Sequence, residues 1–198
     1  MLKNKKISKI IIYITIIIIM ISLLACIYSC EKKEPAVQPD PDEIMKKISG
    51  YFNEDEKTRK ESVTYTSGEK SKKLSESDAA EIYSEDKNSP VDLSKIEKYS
   101  IIKANQDSPI EIGIFKLYDK TNAAYVKKMA QTRIAKMQKS QTGNIENNKN
   151  IENKEFEINV SEILNNAEVR SYGNYVYYVS HRQKDKIFEI IENSLKGV

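Results

Sequence analysis

The chain has 198 residues, of which 32 are basic, 29 acidic and one histidine, for a formal charge of +3. Four lysines fall within the first nine residues, where there is no acid, and setting residues 1–25 aside leaves 28 basic against 29 acidic side chains. That near-balance excludes the polybasic footprint of a nucleic-acid binder, and with both cysteines in one apolar run no disulfide framework replaces a hydrophobic core in the remainder.

In chain order, a basic MLKNKKISK precedes the apolar run Ile10 to Ser29, and the proline-rich EKKEPAVQPDPDE follows it. This is the three-part layout of a bacterial export signal. The run also approaches the roughly 20 residues that cross a bilayer, so a retained anchor is the alternative. Leu23, Leu24 and Ala25 before Cys26 resemble the lipobox of bacterial lipoproteins, in which a cysteine sulfur is acylated and becomes the new N-terminus. Cys30 is the alternative attachment site, with bulky Tyr28 and small Ser29 ahead of it. No histidine or further cysteine lies near the pair to suggest a metal or redox site. The reading is a signal over 1–25 and a lipid on Cys26, which would anchor the chain at the extracytoplasmic face of the cell membrane.

Residues 26–42 read as a flexible stalk, because Pro35, Pro39 and Pro41 favour extended backbone and little apolar surface is present. Residues 43–73 read as a short helix, with Ile44, Met45, Ile48 and Phe52 on one side, and a polar linker holding a short strand at Val63 to Thr66. A single domain is expected over 74–198. Ser75 and Asp92 are placed to open short helical turns. Tyr99 to Ala104 and Glu111 to Asp119 form a hairpin, with Ile112 and Ile114 on one face of the second strand and Phe115 and Leu117 on the other.

A helix follows from Thr121 or Asn122 to about Lys139, with Val126, Met129, Ala130, Ile134 and Met137 at three- and four-residue steps. Gln141 to Glu155 is asparagine-rich and reads as an exposed loop, with a helical turn at Ser161 to Asn165. Gly173 and Asn174 join Ala167–Tyr172 to Tyr175–Ser180 in a tight hairpin, and Lys184 to Leu195 is an amphipathic helix. The order strand, strand, helix, strand, strand, helix implies an α+β fold, a small antiparallel sheet with helices packed on one face.

GIFKLYD after Glu111-Ile112, the long basic helix containing Arg133, then Asn166-Ala167 and Gly173-Asn174-Tyr175-Val176, together resemble domain-of-unknown-function family 4358 of bacterial lipoproteins. The resemblance covers about Leu74 to Gly197 and implies the same layout of lipobox, stalk and small α+β domain. Where members carry a Tyr-x-Pro-like segment before the third strand, this chain has Gln141 to Val160 instead. The family implies no reaction.

Candidate chemistry is sparse. His181, the one histidine, follows the last strand, where it either caps the next helix or pairs with Asp185 as the acid/base unit of a hydrolase-like envelope enzyme. No metal, phosphate-loop or nucleophile-elbow motif accompanies it, so no catalytic residue, metal or cofactor is assigned. Tyr175 and Tyr177 share one face of their strand, and if helices cover only the other face they form a binding surface for an envelope protein, peptide or glycan. The competing reading makes them ordinary strand residues. Lys127, Lys128, Arg133, Lys136 and Lys139 are either a solvated helix face or a contact for acidic lipids. The expected function is thus a lipid-anchored, non-catalytic binding domain, with an enzyme or a structural spacer as alternatives.

Overall fold

The computed structural model describes residues 38–51, 63–68, 72–86, 89–103, 109–147 and 154–198. Cys26, Cys30, the signal and most of the stalk lie outside the described residues. The elements are α1 (Pro41–Tyr51), β1 (Val63–Thr66), α2 (Glu76–Tyr83), a 3₁₀ turn (Leu93–Lys95), β2 (Ile96–Lys103), β3 (Glu111–Leu117), a second 3₁₀ turn (Lys120–Asn122), α3 (Ala123–Asn147), α4 (Lys154–Asn165), β4 (Glu168–Tyr172), β5 (Tyr175–Ser180) and α5 (Lys184–Lys196).

The fold is α+β, with one five-stranded antiparallel sheet in the order β1-β2-β3-β5-β4. Both hairpins read from the sequence pair as expected, and Gly173 takes φ 57° in the turn between Tyr172 and Tyr175, a conformation a side chain would oppose. Local chemistry sets the helix ends. The Ser75 hydroxyl accepts from the Asp78 amide at the start of α2, forming a capping box, and Asp92 accepts from the Ser94 amide at the first 3₁₀ turn.

The single helical layer expected from the sequence is corrected, because helices cover both faces of the sheet. On one face, Ile101, Phe115, Leu117, Val176 and Tyr178 pack beneath α2, α3 and α4. On the other, Ile112, Ile114, Tyr175, Tyr177 and Val179 pack beneath α1 and α5. The reason is α1, which the sequence reading set apart from the domain as a short helix beyond the stalk. Its Ile44 and Ile48 are fully enclosed, and Pro41 and Asp42, read as stalk, already belong to it. β1, read as part of a linker, pairs with β2 at the edge of the sheet. The described residues from Gln38 to Val198 therefore belong to one compact unit, in which α1 and β1 pack with the sheet.

The asparagine-rich loop is also corrected. α3 runs on to Asn147 and α4 begins at Lys154, leaving only 148–153 of that stretch outside the described residues. Polar helix formers such as Glu, Gln and Lys cost little in a helix, so low apolar content alone did not mark a loop.

Candidate functional site

The two tyrosines proposed as a binding surface are not on the surface. Tyr175 is 0% and Tyr177 1% exposed, because β5 is an inner strand and α1 and α5 close over that face. Their rings pack with aliphatic side chains, and Tyr177 lies 5.9 Å from the Phe188 ring. The Tyr175 hydroxyl donates to the Pro39 carbonyl at 2.8 Å. Burial raises the pKa of both phenols above the ordinary value, with nearby Glu97 adding to the effect at Tyr175 and Glu192 at Tyr177. They are core residues with satisfied tips.

His181 lies where β5 gives way to α5, half-buried, and its Nδ1 accepts from the Gln183 amide at 2.9 Å. Burial lowers its pKa below 6.5, and Arg182 adds to the shift. An imidazole whose Nδ1 is occupied as acceptor holds its proton on Nε2. That bond braces the first turn of α5 and takes up the nitrogen through which a catalytic triad orients its base. Of the five basic residues on the long helix, Arg133 and Lys136 are turned to internal use. Lys136 donates to the Glu81 and Ser84 carbonyls at the end of α2, while Lys128 and Lys139 remain exposed.

What the sequence reading missed is a buried polar chain on the α3 face. Glu111 opens β3 at 1% exposure, and Arg133 reaches it from α3 with Nε at 2.9 and 3.0 Å from the two carboxylate oxygens. The Tyr178 hydroxyl donates to the same carboxylate at 2.5 Å, and the Tyr83 hydroxyl stands 2.8 Å from that of Tyr178. Since Tyr178 spends its one proton on Glu111, Tyr83 is the donor between the two phenols. The direction of the chain is fixed: Tyr83 to Tyr178 to Glu111, with Arg133 donating from the far side.

Gly113 makes this geometry possible. It faces Tyr178 across β3 and β5, and a Cβ at that position would lie 2.2 Å from Tyr178 Cε1. The ring therefore lies over bare backbone and carries its hydroxyl to Glu111. Burial and the Glu111 charge push both phenol pKa values up, so Tyr83 and Tyr178 stay protonated and act as donors rather than bases. Burial opposes the Arg133 cation, but the hydrogen bonds and charge of Glu111 outweigh it and hold its pKa above the ordinary value. The pattern was faintly legible. Arg133 falls among the inward steps Val126, Ala130, Ile134 and Met137, and Gly113 interrupts the apolar run Ile112 to Phe115.

Tyr83 also lines an open cleft of about 250 Å³ between the end of α2, the segment 89–91 and the first turns of α3. Its inner surface is Tyr83, Val91 and Met129, all less than a tenth exposed, and its rim carries Glu85, Tyr125 and Lys128. The Tyr125 oxygen accepts the Asp92 amide at 2.7 Å, which fixes the rim segment to α3. An apolar floor with a few polar groups around it is the usual composition of a small-molecule site. Among the described residues no cluster of His, Cys, Asp or Glu is set to hold a metal ion, and no helix is long and apolar enough to cross a membrane. No family model, curated protein or solved structure matches the chain.

Proposed function

We propose that this chain is a lipoprotein held at the extracytoplasmic face of the cell membrane through acylated Cys26, with Cys30 the alternative, and that its α+β domain works by non-covalent binding. The carrying observation is the segment Leu23-Leu24-Ala25-Cys26 at the end of an apolar run preceded by four lysines. The layout is that of the lipoprotein family the sequence resembles. Two features support binding over hydrolysis: the cleft floored by Tyr83, Val91 and Met129, and the occupation of His181 Nδ1 by a backbone amide.

The test is metabolic labelling with an alkyne analogue of palmitate, combined with mass spectrometry of the mature N-terminus. The wild type and Cys30→Ser should carry label and begin at a diacylglyceryl Cys26, whereas Cys26→Ser should lose the label and accumulate as precursor. An unlabelled wild-type chain recovered from the soluble fraction overturns the reading. Label lost in Cys30→Ser alone moves the anchor to the second cysteine.

A further inference from the structure

From the cleft beside Tyr83, we infer that the domain binds an apolar amino-acid zwitterion, with its carboxylate on Lys128, its ammonium on Glu85 and its side chain on the floor. This rests on the binding reading above and names the ligand class of the same site.

The argument begins with which polar groups are already committed. Arg133 holds Glu111, Lys136 holds the last carbonyls of α2, and Lys95, Lys98, Lys116, Arg170 and Lys184 are all in ion pairs. Within the lining of the cleft, the side chains of Lys128, Glu85 and Thr132 have no hydrogen-bond or ion-pair partner; exposed charges such as Lys139 and Glu76 are likewise unpaired, but they do not line it. Tyr125 has accepted the Asp92 amide and keeps its own proton to donate. In the lining of the cleft the uncommitted groups are thus one cation, one anion and the hydroxyls of Tyr125, Thr132, Ser84 and Ser89, set around Tyr83, Val91 and Met129.

Charge selects among ligands. A neutral sugar or alcohol covering the rim would take both charges partly out of water and leave each without a counter-charge. A simple anion would satisfy Lys128 and be repelled by Glu85, and a simple cation would do the reverse. Only a ligand carrying both charges answers both. Size sets the upper limit, since 250 Å³ lies below the about 300–1,000 Å³ of clefts that enclose drug-sized ligands. One apolar residue with its charged ends fits, whether as a free amino acid or as the smallest peptide.

The experiment is isothermal titration of the full chain in detergent with L-leucine, with the dipeptide Leu-Leu, and with uncharged N-acetyl-L-leucine amide. Leucine or dileucine should bind saturably, and the uncharged analogue should bind at least roughly tenfold more weakly. Dileucine binding tighter than leucine identifies a peptide as the source, and the reverse identifies free amino acid. Lys128→Met and Glu85→Gln should each weaken binding by a similar factor while leaving the thermal midpoint in place, because both side chains are exposed and unpartnered. No saturation at millimolar ligand, equal binding of the uncharged analogue, or indifference to both substitutions overturns the inference. A lipidated N-terminus with no leucine or dileucine binding removes this ligand and leaves the anchor standing. Binding by an unlipidated chain does the opposite.

Discussion

The two faces of the sheet are built on different principles. The face under α1 and α5 is filled by aliphatic and aromatic side chains, with Ile44, Ile187, Ile191 and Leu195 all 0% exposed, and its polar bonds, from Tyr175 to the Pro39 carbonyl, Arg170 to Glu192 and Lys47 to Ser194, are only part-buried. The face under α2, α3 and α4 is as well filled, yet it carries the Glu111–Arg133 pair and two phenols through its middle and opens at one side into the cleft. Burying apolar surface stabilises either face at about 25 cal/mol per Å² without fixing how the layers register. A charged pair fixes register, since it tolerates only one partner geometry. Where the molecule needs α2 and α3 held at a set separation around an opening, it uses directional bonds. On the other face, among the described residues, no charged side chain is buried.

This contrast is open to direct attack, beginning with the polar face. Arg133→Met strands a buried carboxylate and should cost about 3–5 kcal/mol in urea unfolding, whereas adding Glu111→Leu should recover most of that loss. A double variant no more stable than the single one would show that the pair does not act as a unit. On the sealed face, Ile191→Ala should cost about 2–4 kcal/mol through lost burial and the cavity left behind. Because the two sites are on opposite sides of the sheet, the two losses should add. Gly113→Ala should cost about 1–3 kcal/mol by pushing the Tyr178 ring off the backbone, and the near-ultraviolet tyrosine signal should weaken with it.

The smallest effect concerns pH. The His181 pKa is lowered in the fold, so the unfolded chain binds the extra proton first, and the contribution is complete above 6.5 and lost as pH falls toward the folded value. The thermal midpoint of the wild type should therefore drop between about pH 7 and pH 5 more steeply than that of His181→Gln. Parallel profiles would show that the ring carries no such linkage. The same variant addresses the hydrolase alternative, which requires the imidazole, whereas the binding reading does not.

Much of the fold was legible because strand and helix periods are local. Alternation placed Ile112 and Ile114 opposite Phe115 and Leu117, and Gly173-Asn174 marked its turn. Layering was not legible, because nothing local says which distant segment covers a face. Ile44, Met45 and Ile48 form an apolar stripe whether they lie on a stalk or on a sheet, and so the sequence left Tyr175 and Tyr177 open between a binding surface and ordinary strand residues. The cleft escaped for the same reason: Glu85, Lys128 and Thr132 belong to two segments that meet only after folding. Glu111 was hidden by its type, since a carboxylate at a strand end is ordinarily solvated, and its burial is explained by the guanidinium 22 residues on together with the Tyr178 hydroxyl.

The Pro39 carbonyl is gripped by Tyr175 and the Asp40 carboxylate by Lys98, just ahead of α1. A cable entering a housing is clamped at the wall so that tugging never reaches the wiring inside, and these two bonds stand at the corresponding place. In the proposed lipoprotein, drag on the leash ahead of these bonds would be stopped by the ends of β2 and β5 before it could lift the helix that roofs the tyrosines. A protease trimming the leash should likewise halt there, shedding the globule intact.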